Sequence, residues 1–118
     1  MIPLRFRILS APAGVMPPPL PSFAAAGTIG RSEGNALVLH DPSAQMSRQH
    51  CRLEPGPGGW QVADLSSNGT FVNDMLVGRG NVRPINPGDR LRVGDWVLAV
   101  EGEGGGGAPG MAGGFPAQ

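Results

Sequence analysis

The hexapeptide MSRQHC at positions 46–51 brings four chemically capable side chains together. They are the hydroxyl of Ser47, the guanidinium of Arg48, the imidazole of His50 and the thiol of Cys51. Residues of these types serve in nucleophilic catalysis, in metal coordination and in the binding of anions such as phosphate. The rest of the chain decides among the three, because each needs further groups at particular places.

The thiol of Cys51 is a poor candidate for a nucleophile. Tyrosine phosphatases follow a His-Cys pair with five residues and an arginine, whereas that position here is Pro57. A thiol becomes nucleophilic only in an electropositive setting, and alternation along HCRLE turns Cys51 toward the core and His50 to the other face. We therefore expect Cys51 to be a small core residue. Neither His40 nor His50 stands at a recognised zinc spacing from it, so no metal or cofactor is predicted.

A Ser-His-Asp arrangement could be drawn from Ser47, His50 and either Asp41 or Asp64. No GxSxG elbow supports it, however, and the spacing of these residues in the sequence does not show whether their side chains meet. We expect His50 instead to brace the preceding loop, with one ring nitrogen bonded to the backbone. A braced loop can itself be a binding site, so no catalytic residue is predicted and the chain is not expected to be an enzyme.

Short β-strands are the elements that must position these residues. The stretch LRFRIL alternates apolar and basic residues, as does DRLRV, and further short apolar runs are separated by the turn signals EGN, DPS, SNG and NPGD. Such runs at close spacing favour an all-β sandwich or barrel. No capped stretch of ten or more residues has helical periodicity, so no substantial helix is expected.

Composition sets the domain limits and excludes some functions. The chain has 118 residues with 20 glycines and 13 prolines. We predict one domain over residues 1–101 and a Gly/Pro-rich linker or tail over 102–118. A linker at residues 102–118 favours the interpretation that the chain is the N-terminal piece of a longer protein. The alternative interpretation is a natural disordered tail. No run of 18 apolar residues and no signal peptide occur, so a cytoplasmic protein without a membrane span is expected.

The charge of the chain is balanced. Nine basic residues, all of them arginine, face nine acidic residues, and the formal net charge is zero. Broad nucleic-acid binding needs a basic face, so nucleic acid is not an expected partner. A local basic pocket for one phosphate is still compatible with this balance, and the planar fork of arginine suits it.

Three short motifs in fixed order carry a family resemblance. They are Gly30-Arg31, then the Ser47 to His50 segment SRQH, and then Asn68-Gly69 within DLSSNGTFVN, followed by GDRLRVGD. The ordered set, spread over about residues 4–100, resembles the forkhead-associated (FHA) domain. The resemblance implies a β-sandwich of two antiparallel sheets with about 10–11 short strands that recognises phosphothreonine.

The resemblance also implies roles for single residues. Arg31 is similar to the family's main phosphate ligand, and its guanidinium suits a group that carries about −1.5 to −2 charge. Phosphopeptide binding is implied for Arg31, Ser47, Arg48, Ser67 and Asn68. Structural support of the site is implied for Gly30, His50 and Gly69. Two departures are that Asn73-Asp74 replaces the usual Asn-Gly turn, which we expect the hairpin to tolerate, and that residues 44–46 lengthen the loop before SRQH.

A narrower resemblance concerns the biological setting. Residues 76–100, together with LRFRILSAP near the start, are similar to FHA domains of bacterial type VI secretion. This implies a Thr-phosphorylated partner, either a Ser/Thr kinase or its secretion-system substrate. The alternative is a scaffold domain that assembles the secretion machinery without phosphate. The motifs leave the oligomeric state open.

Overall fold

A computed structural model describes residues 3–101, which form ten short strands and no helix. No helix able to cross a membrane occurs among these residues. The linker predicted over 102–118 lies outside the described residues. The strands are β1 (Arg5–Ser10), β2 (Gly27–Gly30), β3 (Leu37–Val38), β4 (Cys51–Gly56), β5 (Gly59–Asp64), β6 (Thr70–Val72), β7 (Met75–Leu76), β8 (Val82–Ile85), β9 (Arg90–Val93) and β10 (Trp96–Glu101).

The strands form two five-stranded sheets, and this confirms the predicted sandwich. One sheet has the order β1-β10-β9-β6-β7 and the other has the order β3-β2-β4-β5-β8. Every pair is antiparallel except β2 and β3, which pair in parallel through Ile29 with Leu37 and Gly30 with Val38. The connection 31–36 doubles back, with the amide of Asn35 donating to the carbonyl of Ser32 at 3.3 Å. The chain therefore restarts beside Ile29 and runs in the same direction.

Alternating side chains fill the space between the sheets. Leu91 and Val93 of β9 are fully buried, while Arg90 and Arg92 between them face solvent. Trp96 of β10 is also fully buried, and its indole Nε1 donates to a loop carbonyl 3.0 Å away. Burying each such side chain stabilises the fold by about 1.5–3 kcal/mol. The predicted alternation thus produces the core directly.

The proline-rich stretch 10–22 packs against the domain. The amide of Leu4 donates to the carbonyl of Phe23 at 2.9 Å, and the reverse bond measures 2.7 Å. Val15 and Leu20 lie partly buried against the core. The ring of Phe23 meets Phe6 edge to face, with the centroids 6.0 Å apart. These contacts hold both ends of the stretch against the first sheet.

Two local predictions can be compared with the structure. The Asn73-Asp74 turn does close the β6–β7 hairpin, because both residues adopt positive φ, 52° and 68°, as this kind of tight turn requires. The orientation predicted for His50 is wrong. Alternation along HCRLE places His50 with Arg52 on the face opposite Cys51, but β4 begins only at Cys51 and the His50 side chain is fully buried. The loop between β5 and β6 covers it, which no pattern within HCRLE reveals.

Candidate functional site

The candidate site lies at one end of the second sheet and follows from its strand order. In the run β2-β4-β5-β8 each neighbour is antiparallel, so β2 ends, β4 begins, β5 ends and β8 begins at the same end of the sheet. The loops attached there meet around an open groove of about 800 Å³. Its lining includes Arg31, Ser47, Arg48, Leu65, Ser67 and Arg79. Four of the five predicted binding residues are therefore in one place.

Arg31 follows β2 directly and is held by the neighbouring loop. Its Nε donates to the carbonyl of Met46 at 2.8 Å, and its amide donates to the carbonyl of Ser47 at 3.3 Å. The Met46 amide is in turn held by the carboxylate of Asp41 at 2.5 Å. The two terminal nitrogens of the exposed guanidinium make no hydrogen bond or ion pair with the residues that the structure describes. Arg31 is thus oriented through Nε and keeps its fork of donors for a ligand.

Gly30 allows the two loops to approach closely. A Cβ at this position would lie 2.0 Å from the carbonyl oxygen of Arg48, so no other residue fits without backbone movement. That same oxygen accepts from the amide of Ser32 at 3.3 Å and from the side-chain Nδ2 of Asn35 at 2.7 Å. Asn35 is buried and was not predicted to matter, because the EGN segment indicated only a turn. Its amide joins the loop that carries Arg31 to the loop that carries Arg48.

The hydroxyl of Ser47 faces the groove from the middle of the site. Its Oγ accepts a hydrogen bond from the amide of Ser67 at 3.1 Å. A serine hydroxyl has one donor and two acceptor positions, so accepting this bond leaves its O–H free to donate. The Ser47 amide is used separately, as a donor to Nδ1 of His50 at 3.1 Å. The side chain can therefore donate outward while the backbone stays fixed.

His50 lies beneath these loops and connects them. Its Nδ1 accepts from Ser47, so Nε2 carries the proton and donates to the carbonyl of Gly69 at 2.8 Å. Burial lowers the pKa of His50, while the bond to Gly69 and the charges of Asp64 and Asp41 oppose that shift only in part. The imidazole is therefore neutral at neutral pH, which its acceptor role toward Ser47 requires.

Asn68 stands apart from the other predicted residues. Its side chain is exposed, and its Nδ2 donates to the carbonyl of Gln45 at 2.8 Å. It lines a smaller neighbouring hollow of about 160 Å³ with Phe71 and Asp95 rather than the groove. Gly69, next along the chain, has φ of 106°, which favours glycine. The Oδ1 of Asn68 accepts no hydrogen bond from residues 3–101 and is therefore available as an acceptor.

Asp64 organises the far side of the site, and the sequence offered it only as a possible triad member. Its carboxylate accepts from the amide of Ser66 at 2.9 Å, from the amide and hydroxyl of Thr70 at 3.0 and 2.9 Å, and from the amide of Gly78 at 3.1 Å. Burial alone would raise the pKa of Asp64, but hydrogen bonds from the hydroxyl and amide of Ser66 and from Thr70 outweigh that effect, so the net shift of the pKa is downward. The Asp-x-Ser spacing of an Asx turn could have revealed it.

Arg79 is a further residue that sequence reasoning missed. It lines the groove together with Arg31 and Arg48, although the Gly-Arg pair at 78–79 had no motif around it. Its position follows from tertiary structure, since the loop before β8 meets the end of β5. The groove thus carries three guanidinium groups, and the carboxylate of Asp64 in its wall is occupied by backbone and hydroxyl donors. This arrangement attracts anions.

The predicted core role of Cys51 is confirmed. Its side chain is fully buried, and burial raises the pKa of the thiol well above its ordinary value, with the charge of Asp64 adding to the shift. A thiol of this kind stays protonated and is inert toward electrophiles at neutral pH. The cysteine therefore contributes packing and does not contribute a nucleophile.

Comparison with known proteins identifies the family. The FHA domain model matches residues 27–94, more than half of the chain. A probable serine/threonine-protein kinase of Dictyostelium discoideum is 36% identical over 83 residues, which cover 63% of this chain but only 14% of that kinase.

Two solved structures are similar as well. Mycobacterium tuberculosis EmbR in complex with a low-affinity phosphopeptide is 27% identical, with a TM-score of 0.67 over 87% of this chain and 26% of that one. The N-terminal FHA domain of S. cerevisiae Rad53p, solved with a phosphothreonine peptide, has a TM-score of 0.70 at 21% identity, over 85% and 93% of the two chains. The family match, the sandwich and the loop arrangement agree, and the chain belongs to the FHA domain family.

Proposed function

We propose that this domain binds a phosphothreonine-containing segment of a partner protein and performs no catalysis. FHA domains are phosphothreonine-binding modules, and two similar structures contain phosphopeptides. The observation that carries the proposal is the groove, in which the guanidinium of Arg31 and the hydroxyl of Ser47 are preset by backbone contacts. Preset donors lose little conformational freedom when a ligand arrives, which favours binding.

The residue roles in the proposal follow from the hydrogen-bond donors and acceptors that the site leaves available. The terminal nitrogens of Arg31 pair with phosphate oxygens, and the hydroxyl of Ser47 donates to another. Arg48 adds positive charge from the same wall of the groove. Ser67 forms the rim, and the free Oδ1 of Asn68 accepts a backbone N–H of the peptide. Each bond to the charged phosphate contributes about 1.5–3 kcal/mol.

The proposed biological setting is more specific than the family match. We propose a Thr-phosphorylated partner in kinase-regulated type VI secretion, in the cytoplasm of a bacterium, on the resemblance of residues 76–100 and of the LRFRILSAP segment. The partner is either the kinase or one of its secretion-system substrates. A scaffold role without phosphate would leave the three donors of Arg31, Ser47 and Arg48 unused.

Titration with labelled peptides tests the binding proposal. Degenerate libraries centred on phosphothreonine, phosphoserine or unmodified threonine are titrated by fluorescence anisotropy against the wild type, Arg31→Ala and a control, Arg52→Ala. Arg52 is a suitable control because it is exposed on β4 and, among residues 3–101, pairs only with Glu54, at 3.2 Å. Surface pairs of this kind contribute at most about 1 kcal/mol.

The expected outcome is binding to the phosphothreonine library alone, weakened at least about tenfold by Arg31→Ala, since one lost charge-assisted bond exceeds the 1.4 kcal/mol that a factor of ten represents. Arg52→Ala should bind as the wild type does. Unchanged affinity in Arg31→Ala would refute the site, and equal binding to unmodified peptide would favour the scaffold role.

A further inference from the structure

We propose, building on the phosphopeptide function above, that Arg79 recognises a second negative charge on the same peptide. The second group is a carboxylate or another phosphate, two sources that present the same anionic oxygens to a guanidinium. Arg79 belongs to the loop 77–81, whereas Arg31 and Arg48 belong to the loops beside β2 and β4. The groove therefore has an anion-binding group on a separate loop, and no motif predicted it.

The loop that carries Arg79 is held firmly in place. The amide of Gly78 donates to the carboxylate of Asp64 at 3.1 Å, and the amide of Gly80 donates to the Asp64 carbonyl at 2.8 Å. The carbonyl of Asn81 accepts from the Asp64 amide at 3.0 Å. Gly78 and Gly80 have φ of 92° and 86°, so the tight turn around Arg79 uses conformations that favour glycine on both sides. The two glycines and the hydrogen bonds to Asp64 thus hold Arg79 in a defined position at the groove.

The guanidinium of Arg79 does not contribute to holding the described fold together. Its side chain is exposed and makes no hydrogen bond or ion pair with residues 3–101. By contrast, Arg52 of β4 and Arg90 of β9 pair with Glu54 and Asp74. The carboxylate of Asp64, which also lines the groove, already accepts hydrogen bonds from five groups of Ser66, Thr70 and Gly78. The positive charge of Arg79 is therefore presented to the groove without a partner from the described chain.

Charge balance indicates what such a partner carries. One phosphothreonine brings about −1.5 to −2 charge at neutral pH, and the two guanidinium groups of Arg31 and Arg48 match it. A third guanidinium, that of Arg79, then has no ion-pair partner among the described residues, because the carboxylate of Asp64 is buried and bonded to other donors, and a second anion on the ligand supplies one. Asn68 faces the neighbouring hollow, so the part of the peptide that reaches Arg79 differs from the part that passes Asn68.

Peptide scanning tests this inference. A phosphothreonine peptide with alanine at the flanking positions is compared with versions that carry Glu, Gln or phosphoserine at one flanking position at a time. Each is titrated by fluorescence anisotropy against the wild type, Arg79→Gln and the control Arg83→Gln. Arg83 lies four residues further on, in β8, and is not part of the groove lining. Its substitution by Gln removes the same charge as Arg79→Gln does.

We expect one flanking position at which an acidic residue, Glu or phosphoserine, binds at least fivefold more tightly than Gln. Arg79→Gln should abolish that preference and change the affinity for the alanine peptide by less than twofold, while Arg83→Gln keeps the preference. A preference only for phosphoserine would identify a second phosphate as the source, and an equal gain from Glu would identify a carboxylate.

Three results would overturn the inference. Equal weakening of all peptides by Arg79→Gln would mean that Arg79 contacts the phosphothreonine itself. Absence of any acidic preference in the wild type, with phosphothreonine binding intact, would overturn this inference and leave the proposed function standing. Absence of all phosphothreonine binding would overturn the proposed function together with this inference.

Discussion

Replacing His50 by alanine is the sharpest test of how the site is built. The imidazole is fully buried and joins two loops through bonds to the Ser47 amide, 3.1 Å, and the Gly69 carbonyl, 2.8 Å. His50→Ala removes both bonds at once and leaves a donor and an acceptor without their protein partner. It also leaves a cavity where the ring was. The two loops then lose the side chain that holds them together.

The size of the effect follows from these losses. A polar group left unsatisfied in a buried position costs about 1–3 kcal/mol, and the cavity from a large buried side chain adds to that cost. The sum is about 3–5 kcal/mol in the free energy of unfolding. For a domain of about 100 residues each kcal/mol lowers the melting temperature by about 4–8 °C. We therefore expect a decrease of at least about 12 °C.

The assay is thermal unfolding followed by circular dichroism, with urea unfolding as a second measure of stability. His40→Ala is the matched control, since His40 is the other histidine of the chain, its side chain is exposed, and only its backbone carbonyl bonds to Trp96. The control should melt within about 2 °C of the wild type, because surface substitutions typically change stability by less than about 0.5 kcal/mol.

A melting temperature for His50→Ala that matches the control would refute this reasoning. It would mean that solvent replaces both hydrogen bonds at no cost and that the loops hold their shape by themselves. Unchanged stability together with lost phosphopeptide binding would instead make His50 a direct ligand contact. Lowered stability with binding retained at low temperature supports the bracing role.

Two further predictions concern titration and reactivity. Because the folded-state pKa of His50 is lowered by burial, the unfolded chain takes up the proton first. The free energy of unfolding should therefore be at its full value above pH of about 6.5 and fall as the pH drops toward the lowered folded value, a slope that urea unfolding should detect in the wild type and in His40→Ala but not in His50→Ala. Cys51, whose pKa burial raises, should react with a thiol reagent such as Ellman's reagent only after unfolding, and rapid labelling of the native protein at pH 7 would contradict its burial.

The fold was predictable from the sequence because its signals are local. Alternation along one strand is a property of neighbouring residues, so Leu91 and Val93 point inward without reference to the rest of the chain. The ordered motifs also predicted the family, which the match over residues 27–94 confirms. The parallel pairing of β2 with β3 was not predictable, since it depends on how the connection 31–36 folds back onto β2.

The same distinction between local sequence signals and tertiary contacts applies to the candidate site. Arg31, Ser47 and Asn68 stand in recognisable short motifs, so the sequence could propose them before any contact was known. The structure brings Arg31 and Ser47 into one groove and sets Asn68 at a neighbouring hollow. Which of them share a surface was thus decided by the loops and not by the motifs.

The amino-acid sequence alone therefore specified the strands, the family and the motif residues. Only the tertiary structure decided that Asp64 anchors the loop of Arg79, that Asn35 joins two loops, and that His50 lies buried beneath them. The physical reason is that these contacts join segments far apart in the chain. They depend on the strand order β2-β4-β5-β8, which brings four loop ends to one end of the sheet, and strand order is not encoded in the periodicity of any single segment.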